Sequence, residues 1–367
     1  MNNRFFIELI RIALGNQDLL SSCLSPDEWL ETYCLTEQQG LSALTFGAIQ
    51  RIAEKQPMYI KYFSPDLKMQ WLGMAALAEQ QYDEYEQTVK KLSTFAKSHG
   101  FRMVVLKGYG NSLNYPNPKN RLCGDIDVYV APIPNSIEKQ GDFVVLDRAV
   151  QESLGIEVDN HNSHHSTFLF NGFTVENHRT IMDPDTHKEY EELNWLLAGL
   201  VVEGVREMNG ILIPSVQFNS IHLLAHMAGD FASTGTDFRR LLDWSTFVSV
   251  HSHEINWDFV FETSSRLGML PFLNAINEIC VTYLGYDITM FPVRSPNPKR
   301  VERVLHDLLN KTEPILYPSQ TNIIHYSWVK GIRFLQNRWK YKMVYKESVW
   351  RSLWHQARNT IRTRNTN

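Results

Sequence analysis

The sequence predicts an α+β chain in which a small strand-containing unit is embedded between two helical regions. Three observations carry this. Apolar residues recur at helical spacing through residues 1–100 and again from about residue 188. Between these stretches lie short β-rich runs punctuated by glycine, proline and asparagine. Two of those runs flank Asn171-Gly172, the strongest short-range hairpin signal. With 367 residues, 43% hydrophobic and 21% charged, the chain has room for two or three domains. The expected division is 1–100 helical, 101–187 α/β core, 188–329 helical, and a basic tail over 330–367.

The N-terminal run from Met1 to Arg11 is interrupted by Glu8 and Arg11 and reads as a first helix, not as a signal peptide. The clearest helix spans Pro65 to His99. Leu67, Trp71, Met74, Ala78, Tyr82, Tyr85, Val89, Leu92 and Phe95 fall three or four apart, Ser64 precedes Pro65 as an N-cap, and Gly100 suits the C′ position. Phe101–Lys107 reads as a strand ending at Gly108. A short helix over Gly110–Asn114 and a Pro/Asn loop over Tyr115–Arg121 follow. Then come the Asp125-Ile126-Asp127 strand, a helix near Phe143–Leu154, and strands over Ser166–Phe170 and Phe173–Asn177. Helices are expected at Val216–Met227, Phe238–Val250, Trp257–Leu267 and Pro271–Leu284.

No run reaches the ~20 apolar residues of a membrane span. Cys23, Cys34, Cys123 and Cys280 show no paired spacing and read as reduced thiols of a cytoplasmic protein. The net charge of −4 conceals an asymmetry. Residues 330–364 hold ten Lys or Arg against Glu347, a net of +9, which leaves −13 on the rest. Trp328, Trp339, Trp350 and Trp354 accompany those charges. Such a segment packs on its own acidic chain with its basic stems snorkelling, or binds a membrane surface or nucleic acid. The first is the expectation.

Chemistry concentrates between residues 107 and 178. Alternate residues of a strand share a face, roughly 6–7 Å apart, so Asp125 and Asp127 project together while Ile126 and Val128 turn into a core. Two like charges on one face repel, and a hard divalent cation such as Mg²⁺ or Mn²⁺ removes the repulsion. Glu176, on the second strand of the hairpin, supplies the third carboxylate that a two-metal site needs. Lys107-Gly108 closes a strand just before a helix, where glycine admits a phosphate close to the backbone.

Other polar residues have blander readings. His161, His164, His165 and His178 are zinc-ligand types, but no cysteine sits at ligand spacing. His165 and His178 read as substrate contacts or supports of the carboxylate site. His222, His226 and Asp230 fall at i, i+4 and i+8 and read as a polar stripe lining a cleft or facing solvent.

Over residues 100–180 these motifs resemble the uncharacterised nucleotidyltransferases of the DNA polymerase beta superfamily. The matching elements are Lys107-Gly108, Tyr115-Pro116-Asn117-Pro118 with Arg121, Gly124-Asp125-Ile126-Asp127, His164-His165 and Glu176-Asn177-His178. His226, Arg239 and Asp243 match more weakly. The resemblance implies a nucleotidyltransferase-type mixed sheet. It further implies transfer of an NMP from an NTP, with ATP the expected donor, to an unidentified acceptor. Two Mg²⁺ or Mn²⁺ ions would be held by Asp125, Asp127 and Glu176, the last also a base, while Lys107, Gly108, Arg121 and Gly124 would line the nucleotide. Two rival readings remain: a metal-dependent glycosyltransferase, whose Asp-x-Asp also holds a nucleotide diphosphate, and a non-catalytic nucleotide-binding regulator or scaffold.

Overall fold

The computed structural model describes residues 3–131, 143–184, 187, 189–233, 235–310, 323–346 and 350. The N-terminal helices are α1 (Arg4–Leu14), α2 (Pro26–Gln38), α3 (Ser42–Lys55) and α4 (Pro65–Ser98). α4 forms as its sequence predicts: Ser64 accepts from the Leu67 amide, Pro65 opens the first turn, and Gly100 follows at φ 79°. Its 34 residues extend about 50 Å, long enough to serve two cores. Trp71 packs with Trp29, Tyr33 and Phe63 among the N-terminal helices. Tyr82, Tyr85, Val89 and Leu92 lie under the sheet.

The sheet is mixed and six-stranded, in the order β3-β4-β2-β1-β6-β5. Its strands are β1 (Arg102–Val105), β2 (Ile126–Ala131), β3 (His165–Phe170), β4 (Phe173–His178), β5 (Val205–Met208) and β6 (Ile211–Pro214). β1 and β2 are antiparallel, whereas β2–β4 and β1–β6 are parallel. The one-turn helix α5 (Tyr109–Ser112) follows β1, and α6 (Phe143–Leu154) precedes β3. Asn171 and Gly172 sit at φ 48° and 85°, the left-handed pair that a two-residue hairpin requires.

One hairpin departs from expectation. β5 and β6 fall in the stretch read as helical, so the sheet draws on residues beyond 187. Asn209 and Gly210 make their turn at φ 53° and 81°, the same signal in a second place.

The remaining helices are α7 (Glu189–Glu203), α8 (Val216–Ala232), α9 (Phe238–His251), α10 (Trp257–Leu267), α11 (Leu270–Thr282), α12 (Pro298–Leu309) and α13 (Ile323–Val344). They cover the sheet face opposite α4 and α6, the face that carries Val104, Leu106 and Tyr129. Ile126, Val128 and Val175 point the other way and are fully buried against α4 and α6. Each such side chain contributes about 1.5–3 kcal/mol, which anchors β2 with Asp127 facing the helices. No described helix is long and apolar enough to cross a membrane.

Some described residues of the basic segment make contacts within the chain. Arg303 stacks over Trp339 at 3.9 Å, Lys340 Nζ donates to Asp307 Oδ2 at 2.6 Å, and His187 stacks on Tyr345 at 3.7 Å. Residues 351–367, with Trp354, Arg351, Arg358, Arg362 and Arg364, lie outside the described residues.

Candidate active site

Sheet register assembles the acidic centre. Asp127 on β2 is the direct partner of Glu176 on β4, and His165 on β3 is the partner of His178 on β4. Side chains two apart share a face, so Asp127, Glu176, His178 and His165 all project toward the helical layer. One ligand atom each from Asp127, Glu176 and His178 lies within 4.8 Å of the others. These residues form a cluster able to hold a metal ion. Asp125 stands apart from it. The strand begins at Ile126, so Asp125 belongs to the exposed lead-in, and its charge acts on Lys107.

Lys107 enters from the end of β1. The Leu106 amide donates to the Asp127 carbonyl at 2.9 Å, extending the β1–β2 ladder by one residue and bringing Lys107 beside Asp127. Its Nζ lies 2.9 Å from Asp127 Oδ1 and 3.1 Å from His226 Nε2. Gly108, at φ 69° and ψ −96°, turns the chain where an L side chain is strained. A Cβ there would also overlap the Tyr85 hydroxyl. The helix that follows is a single turn, so positive charge at the Lys107-Gly108 turn comes from the lysine more than from a helix dipole.

Charge in this pocket is set by burial and close partners. Asp127 is 1% exposed. Burial alone would raise its pKa, but Lys107 and a hydrogen bond from His178 hold it far below the usual carboxylate range. A hydrogen bond from His178 likewise keeps Glu176 low, against burial. Burial disfavours charge on Lys107 and on His178. The Asp127 charge outweighs it for Lys107, and hydrogen bonds to Asp127 and Glu176 outweigh it for His178, so both are raised. Burial, with His178 and His165 nearby, pushes His164 down to about 3.

The structure gives Arg121 a different setting from the one the resemblance implies. Its Nε and Nη2 each donate to Asp243 on α9 at 2.7 Å, Nη1 donates to Cys123 Sγ at 3.2 Å, and the side chain is buried. Tyr115 also donates to Asp243, at 2.8 Å. With its planar donors thus engaged, Arg121 ties the loop before β2 to α9. Gly124 is exposed in that loop, and a Cβ there would meet nothing.

The polar stripe of α8 lines the site. His226 bridges from Lys107 to Asp230, with Nδ1 3.3 Å from Asp230 Oδ2 and 2.7 Å from Arg240 Nη1. Arg240 Nη2 lies 2.7 Å from Asp230 Oδ2. Burial, then His226 and Lys107, pushes His222 well below the usual histidine range. Helical spacing found the stripe, but Arg240 has no local signal, because its partners lie on another helix.

A family described as an uncharacterised nucleotidyltransferase matches residues 25–285. The chain belongs to this family. The match runs from α2 to beyond α11, so the family includes the helical layers as well as the sheet. As a member the chain is a nucleotidyltransferase, and its mixed α/β architecture accords with that fold. No curated protein and no solved structure matches it.

Proposed function

We propose that this nucleotidyltransferase moves an NMP from an NTP, ATP in the first instance, to an acceptor hydroxyl, with release of pyrophosphate. The observation that carries the proposal is the register pairing of Asp127 with Glu176, with Lys107 on Asp127. The donor set fits Mg²⁺ or Mn²⁺, since two carboxylates on one rigid sheet face offer hard oxygen ligands. Asp127 already holds a cation, the Lys107 ammonium. In the complete site Asp127 and Glu176 would be the primary ligands, with Asp125 reaching in from its loop for the second of two ions. The ions would supply charge neutralisation on the triphosphate and at the attacking and leaving oxygens.

The protein's own groups do the rest. Lys107 exchanges Asp127 for the β- and γ-phosphates, which Gly108 lets approach the turn. Glu176, held ionised, accepts the acceptor's proton. The acceptor oxygen bonds to the α-phosphorus, the bond to the bridging oxygen breaks, and pyrophosphate departs. His178 keeps both carboxylates oriented through Nε2, 3.0 Å from Asp127 Oδ1 and 3.6 Å from Glu176 Oε2. The described elements ahead of β1 are helical, which counts against the glycosyltransferase alternative.

The test is pyrophosphate release from ATP and Mg²⁺ with a panel of sugar, antibiotic, protein and RNA acceptors, wild type against Asp127→Asn. Turnover that survives the substitution would overturn the assignment. ATP·Mg²⁺ binding without turnover across the panel would favour a regulator.

A further inference from the structure

We propose that His164, His165 and His178 form a nitrogen-donor site for a transition-metal cation, zinc by preference, beside the carboxylates. One ring nitrogen of each lies within 4.8 Å of the others. Their ring centroids are 4.9–5.5 Å apart.

Hydrogen bonds sort the six nitrogens. His178 Nε2 lies 3.0 Å from the Asp127 carboxylate, which only accepts, so Nε2 carries the proton. Nδ1 of His178 is buried without a partner among the described residues. His165 differs: its Nε2 lies 3.3 Å from Asn162 Nδ2, which donates, and 3.9 Å from Glu176 Oε1, while Nδ1 is buried and unpartnered among the described residues. A metal on Nδ1 would shift the ring proton to Nε2, toward Glu176. In His164, Nδ1 is engaged with Thr180 Oγ1 at 2.7 Å, which leaves Nε2. Each histidine thus has one nitrogen outside these hydrogen bonds. His161 does not join them, being exposed and 2.6 Å from Asp159.

Two such nitrogens buried without partners are costly to leave unsatisfied, and a metal ion would engage both at once. A carboxylate on the far nitrogen of a ligating histidine fixes its tautomer and raises its basicity; Asp127 stands in that relation to His178. The backbone is already rigid there. His165 and His178 are register partners, and the Arg179 amide donates to the His164 carbonyl at 2.9 Å. Three imidazoles suit zinc and are poor ligands for Mg²⁺. The two cation sites would therefore differ in preference, with His178 between them, Nε2–H on the Asp127 carboxylate and Nδ1 toward the zinc. Three protein ligands also leave a fourth position open on a tetrahedral ion. The inference does not rest on the nucleotidyl-transfer reading, because it is read on the ion and not on turnover.

The experiment uses the full chain, stripped with chelator and dialysed against micromolar Zn²⁺ or Co²⁺ with millimolar Mg²⁺ present, and bound metal quantified by mass spectrometry. The expected result is one zinc per chain that Mg²⁺ does not displace, and visible d–d absorption for the Co²⁺ form. His164→Ala and His165→Asn should each weaken zinc binding at least about tenfold, and Asp125→Asn should leave it unchanged. Circular dichroism checks that each variant is folded. Should a variant fail to fold, the wild-type stoichiometry and Co²⁺ spectrum decide. Absence of stoichiometric zinc on the folded wild type, displacement by Mg²⁺, or full retention by both folded histidine variants would each overturn the proposal.

Discussion

Asp127 and Glu176 are register partners on parallel neighbouring strands, so the backbone ladder itself sets the spacing of the two carboxylates. Glu176 is only half-buried, and neutralising it leaves the core intact. Glu176→Gln is expected to lower kcat by about 10²–10⁴, with a melting temperature within a few degrees of wild type. Steady-state kinetics and thermal unfolding on one preparation check both halves.

Arg121 is expected to matter for stability more than for nucleotide affinity. Removing one member of a buried pair strands the other, at about 3–5 kcal/mol. Arg121→Met should lose about that much in urea denaturation, and the double change Arg121→Met with Asp243→Leu should recover much of it. A normal unfolding midpoint with a raised KM for ATP would instead return Arg121 to the phosphates.

Gly108→Ala should destabilise by about 1–3 kcal/mol, because φ 69° strains any L residue and the new Cβ meets the Tyr85 oxygen. Adding Tyr85→Phe removes that oxygen and should restore part of the loss, leaving the backbone strain. Equal unfolding midpoints for Gly108→Ala and wild type would contradict the turn geometry.

Buried histidines give the fold an acid limit. In the unfolded chain His222 takes up a proton below about pH 6.5, whereas in the folded state its pKa lies well below that. Its contribution is therefore complete above the unfolded value and is lost as pH falls below it, by up to about 1.4 kcal/mol per pH unit. His164, His165 and His226 act in the same direction. His178, raised, acts oppositely: its stabilisation is present below the unfolded value and disappears as pH rises through the folded one. Urea unfolding from about pH 7.5 to about pH 5.5 should show stability falling with acidity, less steeply in His222→Leu. An unchanged slope in that variant would show that His222 does not contribute.

Local chemistry was legible in the sequence. α4 carries its cap, its proline and its period, and the Asn171-Gly172 hairpin carries the residue types that positive φ demands. The Asn209-Gly210 hairpin escaped because four-residue strands are too short to show a period between two long helices. Asp125 lies one residue ahead of the paired strand, where spacing alone fixes the side chain less firmly than for Asp127. Long-range partners left no trace in spacing. Asp243 lies 122 positions from Arg121, and His226 lies 119 from Lys107.

That separation has a consequence for how the protein is made. A ribosome adding roughly 5–20 residues per second reaches Asp243 on the order of ten seconds after Arg121. β1 meanwhile waits for its parallel neighbour β6. Through that interval Lys107 has Asp127 within reach but not His226, and the loop before β2 has its α4 partners, Asp83 on Lys119 and Gln81 on the Cys123 carbonyl, but not Asp243. The nascent chain thus emerges with Asp127 and Glu176 before the helices that cover them, and only the arrival of α8 and α9 completes the cluster around Lys107.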